Sequence, residues 1–157
     1  MQSILELQEW IMRLWQSNGR NSSQLIIEPF GYPLAFTGLA AVGGNANLSF
    51  LVNANSDFVL TRVSYHANTG AVQNVGTKTV AQIRAQVVDA GSARPFWNSA
   101  IDLENFASNE YPNRYLPYPR LISANSAITV QLTGIGAAAE TYAGELFFEG
   151  VNVREFG

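Results

Sequence analysis

Apolar residues recur at helical spacing at the start of the chain and at strand spacing through most of its remaining length. Ile4, Leu7, Ile11 and Leu14 fall at three- and four-residue steps, and Trp10 and Trp15 widen the same face. That period predicts an amphipathic helix from Ser3 to Gly19. Ser3 and Glu6 fit a capping box, in which each side chain satisfies a backbone N–H at the helix start, and Asn18-Gly19 supplies a stop. About 15 residues make roughly 22 Å of helix, which is marginal alone and must dock on something. It either packs on its own domain or serves as a docking arm for another chain.

After the polar linker Arg20 to Ser23 the period shortens. Gln24-Leu25-Ile26-Ile27-Glu28 reads as a first strand closed by Pro29, and the Gly-, Pro- and aromatic-rich stretch from Phe30 to Asn45 reads as a long loop. Ala46 to Val52 and Phe58 to His66 read as the next strands, with Asn68 to Thr77 a Gly- and Asn-containing loop. Ala81, Ile83, Ala85 and Val87 then alternate with Gln82, Arg84 and Gln86, and Asp89-Ala90-Gly91-Ser92 turns the chain. Arg94 to Trp97 suggests a short strand, and Ile101 to Glu110 a surface excursion.

The stretch from Tyr111 to Gly134 has two halves. In Leu116-Pro117-Tyr118-Pro119 the prolines fix their own φ and push the preceding residues into extended geometry, which makes a stiff rod carrying Tyr115 and Tyr118. After the turn-prone Ser123-Ala124-Asn125-Ser126, Ile128 to Thr133 alternates apolar and polar as a strand with one buried face. A last strand, Tyr142 to Val153, sets Tyr142, Gly144, Leu146, Phe148 and Gly150 on one side. The expected fold is all-β: an antiparallel jelly-roll β-sandwich (21–157) preceded by one N-terminal amphipathic α-helical arm (1–20).

Composition narrows the function. The chain has 157 residues, enough for one domain with a sizeable core, and only 13% of them are charged, about half the usual ~25%. Asn, Gln, Ser and Thr take the place of charge. Lys and Arg together number 9, Lys78 is the single lysine, and the net charge is −3, so no basic groove for nucleic acid is expected. No cysteine is present, which excludes disulfides, thiol catalysis and thiolate metal sites. No apolar run reaches the ~18 residues of a membrane span, and the N-terminus does not read as a signal peptide.

Candidate chemistry is sparse. His66, the single histidine, lies in an apparent strand with no nucleophile signature beside it. Asp102 and Glu104 share a side if their segment is extended, with Asn105 and Asn109 as further oxygen donors for calcium; the competing reading is a solvated loop. Gly43-Gly44-Asn45 has no downstream lysine and is not a phosphate loop. Asn21-Ser22-Ser23 and Asn47-Leu48-Ser49 match the glycosylation triplet by chance. No catalytic residue, metal or cofactor is expected. Tyr111, Tyr115 and Tyr118 stand as interface anchors, as a sugar-stacking platform, or as cover for an open end of the sandwich.

The rod Leu116 to Arg120, the Asn/Ser turn and strand Ser123 to Leu132, and the aromatic-rich closing strand Gly144 to Gly150 together resemble the small jelly-roll decoration, or cement, proteins of tailed bacteriophages. The resemblance covers roughly the last 45 residues and leaves out the helix. It implies a homotrimer on the capsid exterior of the virion, clamping neighbouring major capsid subunits, and it brings no catalytic residue. On that expectation Ile4, Leu7, Trp10, Ile11, Leu14 and Trp15, together with Tyr111, Tyr115 and Tyr118, are the partner-binding residues. The alternative is a lectin-like carbohydrate-binding module for host-surface attachment, of the same fold.

Overall fold

A computed structural model describes residues 3–20, 25–71, 75–108 and 115–156, apart from the Ile4 side chain. Helix α1 (Ile4–Ser17) begins at Ser3, whose hydroxyl accepts from the Glu6 N–H at 3.2 Å while the Glu6 carboxylate accepts from the Ser3 N–H at 3.3 Å. It ends on Gly19 at φ +70, a left-handed conformation that costs glycine nothing. There the Gly19 N–H donates to Gln16 O and the Arg20 N–H to Trp15 O, so the last carbonyls are satisfied by a Schellman turn.

Among the described residues ten strands come after it: β1 (Leu25–Ala40), β2 (Val42–Leu51), β3 (Asp57–Thr69), β4 (Lys78–Thr79), β5 (Ile83–Asp89), β6 (Arg94–Pro95), β7 (Ile101–Asp102), β8 (Arg120–Ile122), β9 (Ala127–Ile135) and β10 (Thr141–Glu155). The first sheet runs β1-β10-β3, with β4 and β8 on the far edge of β3; the second runs β2-β9-β5, with β6 and β7 on the far edge of β5. All these pairings are antiparallel. Leaving out the short β4 and taking β6 with β7 as one, the first sheet holds the first, eighth, third and sixth strands. The second holds the second, seventh, fourth and fifth, which is the double wrap of a jelly roll. The core between the sheets includes Leu34, Phe36, Phe58, Leu60, Val87, Val130, Leu132, Leu146 and Phe148.

The stretch expected to be a loop, Phe30 to Asn45, is instead most of β1 and the start of β2, and Pro29 closes nothing. Pro29 and Pro33 sit opposite Val151 and Phe147 in the ladder. Four positions apart, they turn their nitrogens the same way, and β1 lies at the edge of its sheet. An edge strand accommodates proline because the missing N–H falls on the unpaired side. Gly31, between them, leaves the room that the Phe147 ring occupies.

The expected surface excursion at Ile101 to Glu110 is also corrected. Among its described residues Ile101–Asp102 forms a short strand; a 3₁₀ turn, Leu103–Asn105, then delivers Leu103, Phe106 and Ala107 into the core. Likewise β3 continues to Thr69, past the expected start of the loop at Asn68.

The helix forms a third layer. Leu7, Ile11 and Trp15 are buried against Val59, Val151 and Val153 on the outer face of the first sheet, flanked by Leu25, Ile27 and Leu121. Arg20 holds the helix end down, its guanidinium 2.9 Å from the Asp57 carboxylate and 5.6 Å from the Trp15 ring centroid. In this structure the seam read as a possible docking arm is packed on its own domain.

Candidate functional site

The proline rod is fixed to the sandwich by an irregularity in β3. The register between β3 and β10 shifts so that Glu149 faces Arg62 and Gly150 faces Leu60, leaving Thr61 as the extra residue of a bulge. Thr61 is buried, its hydroxyl donates to Glu149 O at 3.1 Å, and its carbonyl accepts from the Leu116 N–H at 2.8 Å. The bulge also reverses the side-chain alternation: Phe58 and Leu60 enter the core before it, and Val63, Tyr65 and Ala67 after it.

Arg62 is thereby turned outward, where it makes a two-pronged, partly buried ion pair with Glu149, at 2.7 Å and 2.6 Å. Its guanidinium also lies 5.5 Å from the Tyr115 ring centroid. A charge-assisted fork beneath an aromatic face restricts both partners. Further along, Pro119 is buried, and Arg120 lies 4.1 Å from the Phe96 ring centroid. Burial lowers the pKa of the Arg120 guanidinium.

Between those anchors the rod stands clear. Tyr118 is 83% exposed and Tyr115 48%, whereas Leu116 packs on the core. A cleft of about 190 Å³, largely apolar, lies between the rod, Pro29 of β1 and the start of α1, and Leu7, Tyr115, Leu116 and Pro119 help line it. The arrangement offers a pre-stiffened aromatic surface with low entropy left to lose, which suits recognition.

The residues expected to bind a partner divide three ways. Tyr115 and Tyr118 are brought together on the rod, while Tyr111 lies outside the described residues, as does the Ile4 side chain. Leu7, Ile11 and Trp15 are buried under the helix, with Trp10 and Leu14 half-buried beside them. Among the described side chains of the helix, Leu5 and Met12 are the large apolar ones that stand exposed. Arg62, Glu149 and Thr61, which organise the rod, were missed by sequence reasoning.

Asp102 and Glu104 each meet a different partner. The Asp102 carboxylate meets Arg84 at 3.1 Å, and Glu104 accepts from the Tyr65 hydroxyl at 3.3 Å. Burial raises the pKa of Tyr65, and the Glu104 charge and hydrogen bond push it further. His66 sits opposite Glu145 in the β3–β10 ladder. Among the described residues, no group of three or more His, Cys, Asp or Glu is placed to hold a metal ion. Asn109, the other calcium donor considered, lies outside them, as does the Asn21-Ser22-Ser23 triplet; the Asn47-Leu48-Ser49 triplet lies in β2.

Comparisons with protein-family models, with curated proteins and with solved structures found no match to this chain.

Proposed function

We propose that the protein is a structural virion component of the capsid-cement type, which assembles as a trimer on the head exterior and clamps neighbouring capsid subunits without catalysis. The observation that carries the proposal is the rod: Tyr118 stands almost fully exposed on a proline frame anchored at Thr61 and at Pro119. A jelly roll with a charge-poor surface and the rod-strand-strand order of decoration proteins supports the same reading. Binding works through avidity, several modest patches engaging at once.

The test is cosedimentation of the purified protein with gradient-purified particles stripped of it. Wild-type protein binds and raises the temperature at which the shells open; Tyr118→Ala folds normally yet binds about tenfold more weakly or worse, as expected for a central aromatic anchor. Because few charges take part, binding changes little between low and moderate salt. Failure of the wild-type chain to bind such particles contradicts the reading.

A second reading, carbohydrate binding, is favoured by the outer face of the second sheet. There Asn45, Asn47, Ser49, Thr129, Gln131 and Thr133 present a run of neutral hydrogen-bonding groups. Capture on a glycan array together with no shell binding selects it.

A further inference from the structure

Three of the four long edges of the sandwich are closed or blunted. The far edge of β3 is covered piecemeal: β8 pairs with residues 58–60, Leu116 bonds at Thr61, Ser108 bonds at Val63 and Tyr65, and β4 pairs at Ala67 and Asn68. The far edge of β5 is covered by β6, β7 and Trp97, whose indole N–H donates to Ala85 O at 3.1 Å. On the other side β1 is blunted by Pro29 and Pro33.

The remaining edge is β2, which has none of these protections among the described residues. Val52 donates to Ser126 O at 2.9 Å and accepts from the Asn125 N–H at 3.2 Å, so both its backbone groups face β9. Strand alternation then turns the N–H and C=O of Asn45, Asn47, Ser49 and Leu51 to the open side. No proline and no charged side chain occurs in β2, and the chain carries no charge at all from Pro29 to Ser56. Natural edges of this length normally carry a device against pairing.

We infer that β2 is a self-pairing edge: two copies of the chain join β2 to β2 antiparallel across a two-fold axis, making one continuous sheet from the two second sheets. A two-fold contact sets a strand against itself, so it demands self-complementary chemistry. The outward-facing Asn45, Asn47 and Ser49 meet that demand, since amides and hydroxyls both donate and accept, and a strand without charge has nothing to repel. With the axis at Asn47, that residue meets its own copy and Asn45 meets Ser49. Leu48 and Ala46, half-buried at this edge, lose their remaining solvent contact. The inference does not depend on capsid binding.

Sedimentation equilibrium of the full chain tests it, with Asn47→Pro and Asn47→Lys as variants. Proline at position 47 removes an N–H from the open side and leaves the bonds to β9 in place; lysine there sets two like charges at the axis. The expected result is a wild-type mass that is an even multiple of 17.1 kDa. Asn47→Lys halves that mass and weakens the contact by about tenfold or more, with the circular dichroism unchanged. Asn47→Pro does the same if it folds; the lysine variant decides the matter if it does not. A wild-type monomer, an odd multiple, or a mass that Asn47→Lys leaves unaltered overturns the inference. A trimer unaffected by Asn47→Lys leaves the capsid reading standing while removing this one.

Discussion

The two outer faces of the sandwich are built on similar antiparallel frames and finished in opposite ways. On the first sheet, Val59, Val151 and Val153 make an apolar strip that the helix covers. On the second, Asn45, Asn47, Gln131 and Thr133 make a neutral polar face, on which the Thr133 hydroxyl donates to the Asn45 amide oxygen at 3.0 Å. The same strand period thus encodes two relationships: one face is completed within the chain, and the other is left free. An apolar outer face commits its residues to stability, whereas a neutral polar one leaves them free for recognition at little cost to the fold.

Substitutions on the two faces separate these roles. Trp15, 2% exposed beneath the helix, is expected to cost about 3–5 kcal/mol when changed to Ala, as large aromatic truncations do. Gln131→Ala on the opposite face stays within about 0.5 kcal/mol. Equilibrium urea unfolding of both measures the contrast, and equal losses would erase it.

Smaller is the loss at the margin of the covered face. Arg62→Met breaks the two-pronged contact with Glu149 and is expected to cost about 1–3 kcal/mol by stranding a partly buried carboxylate. It also frees the rod, which amide exchange at Leu116 reports as faster. Ser3→Ala removes the helix cap and costs about 1 kcal/mol, read as a lower urea midpoint with the slope unchanged.

The smallest effect at neutral pH belongs to the core that both faces share. Burial raises the pKa of Tyr32, Tyr65 and Tyr142 above the ordinary tyrosine value of 10.0. The folded state then favours the neutral phenol. Its contribution is complete below about pH 10, where unfolded tyrosine is also neutral, and is lost as pH rises above that. Tyr65→Phe is expected to flatten the alkaline fall in stability; an unchanged fall above pH 10 would assign it to other groups.

Legibility in the sequence tracked the regularity of each element. The helix was readable because its cap, apolar seam and glycine stop are all local signals, and β5, β9 and the middle of β10 because alternation survives wherever a strand has one buried face; at Val151 and Val153 the helix buries the second face of β10 as well. What covers the helix seam was not readable, since Val59, Val151 and Val153 converge from distant positions. Residues 30–45 misled because Pro and Gly signal a loop only when the strand is internal; on an edge they are tolerated, and edge status is a property of the assembled sheet. Leu103 and Phe106 reach the core through a 3₁₀ turn that imposes no period. The rod was legible as stiff from its prolines, yet its anchor was not, because the Thr61 bulge exists only in the pairing of β3 with β10.

The central claim is that the helix belongs to its own domain, leaving the rod and the second sheet for partners. Native-state hydrogen exchange of the dilute chain, measured at the amides of Ile11 to Trp15, tests it most directly. An undocked helix of 14 residues opens readily in water, so these amides resist exchange only if the helix is docked. The account predicts protection approaching that of β10 and independent of protein concentration. Exchange as fast as in a free peptide, or protection that appears only as concentration rises, would contradict it and return the helix to the role of an arm.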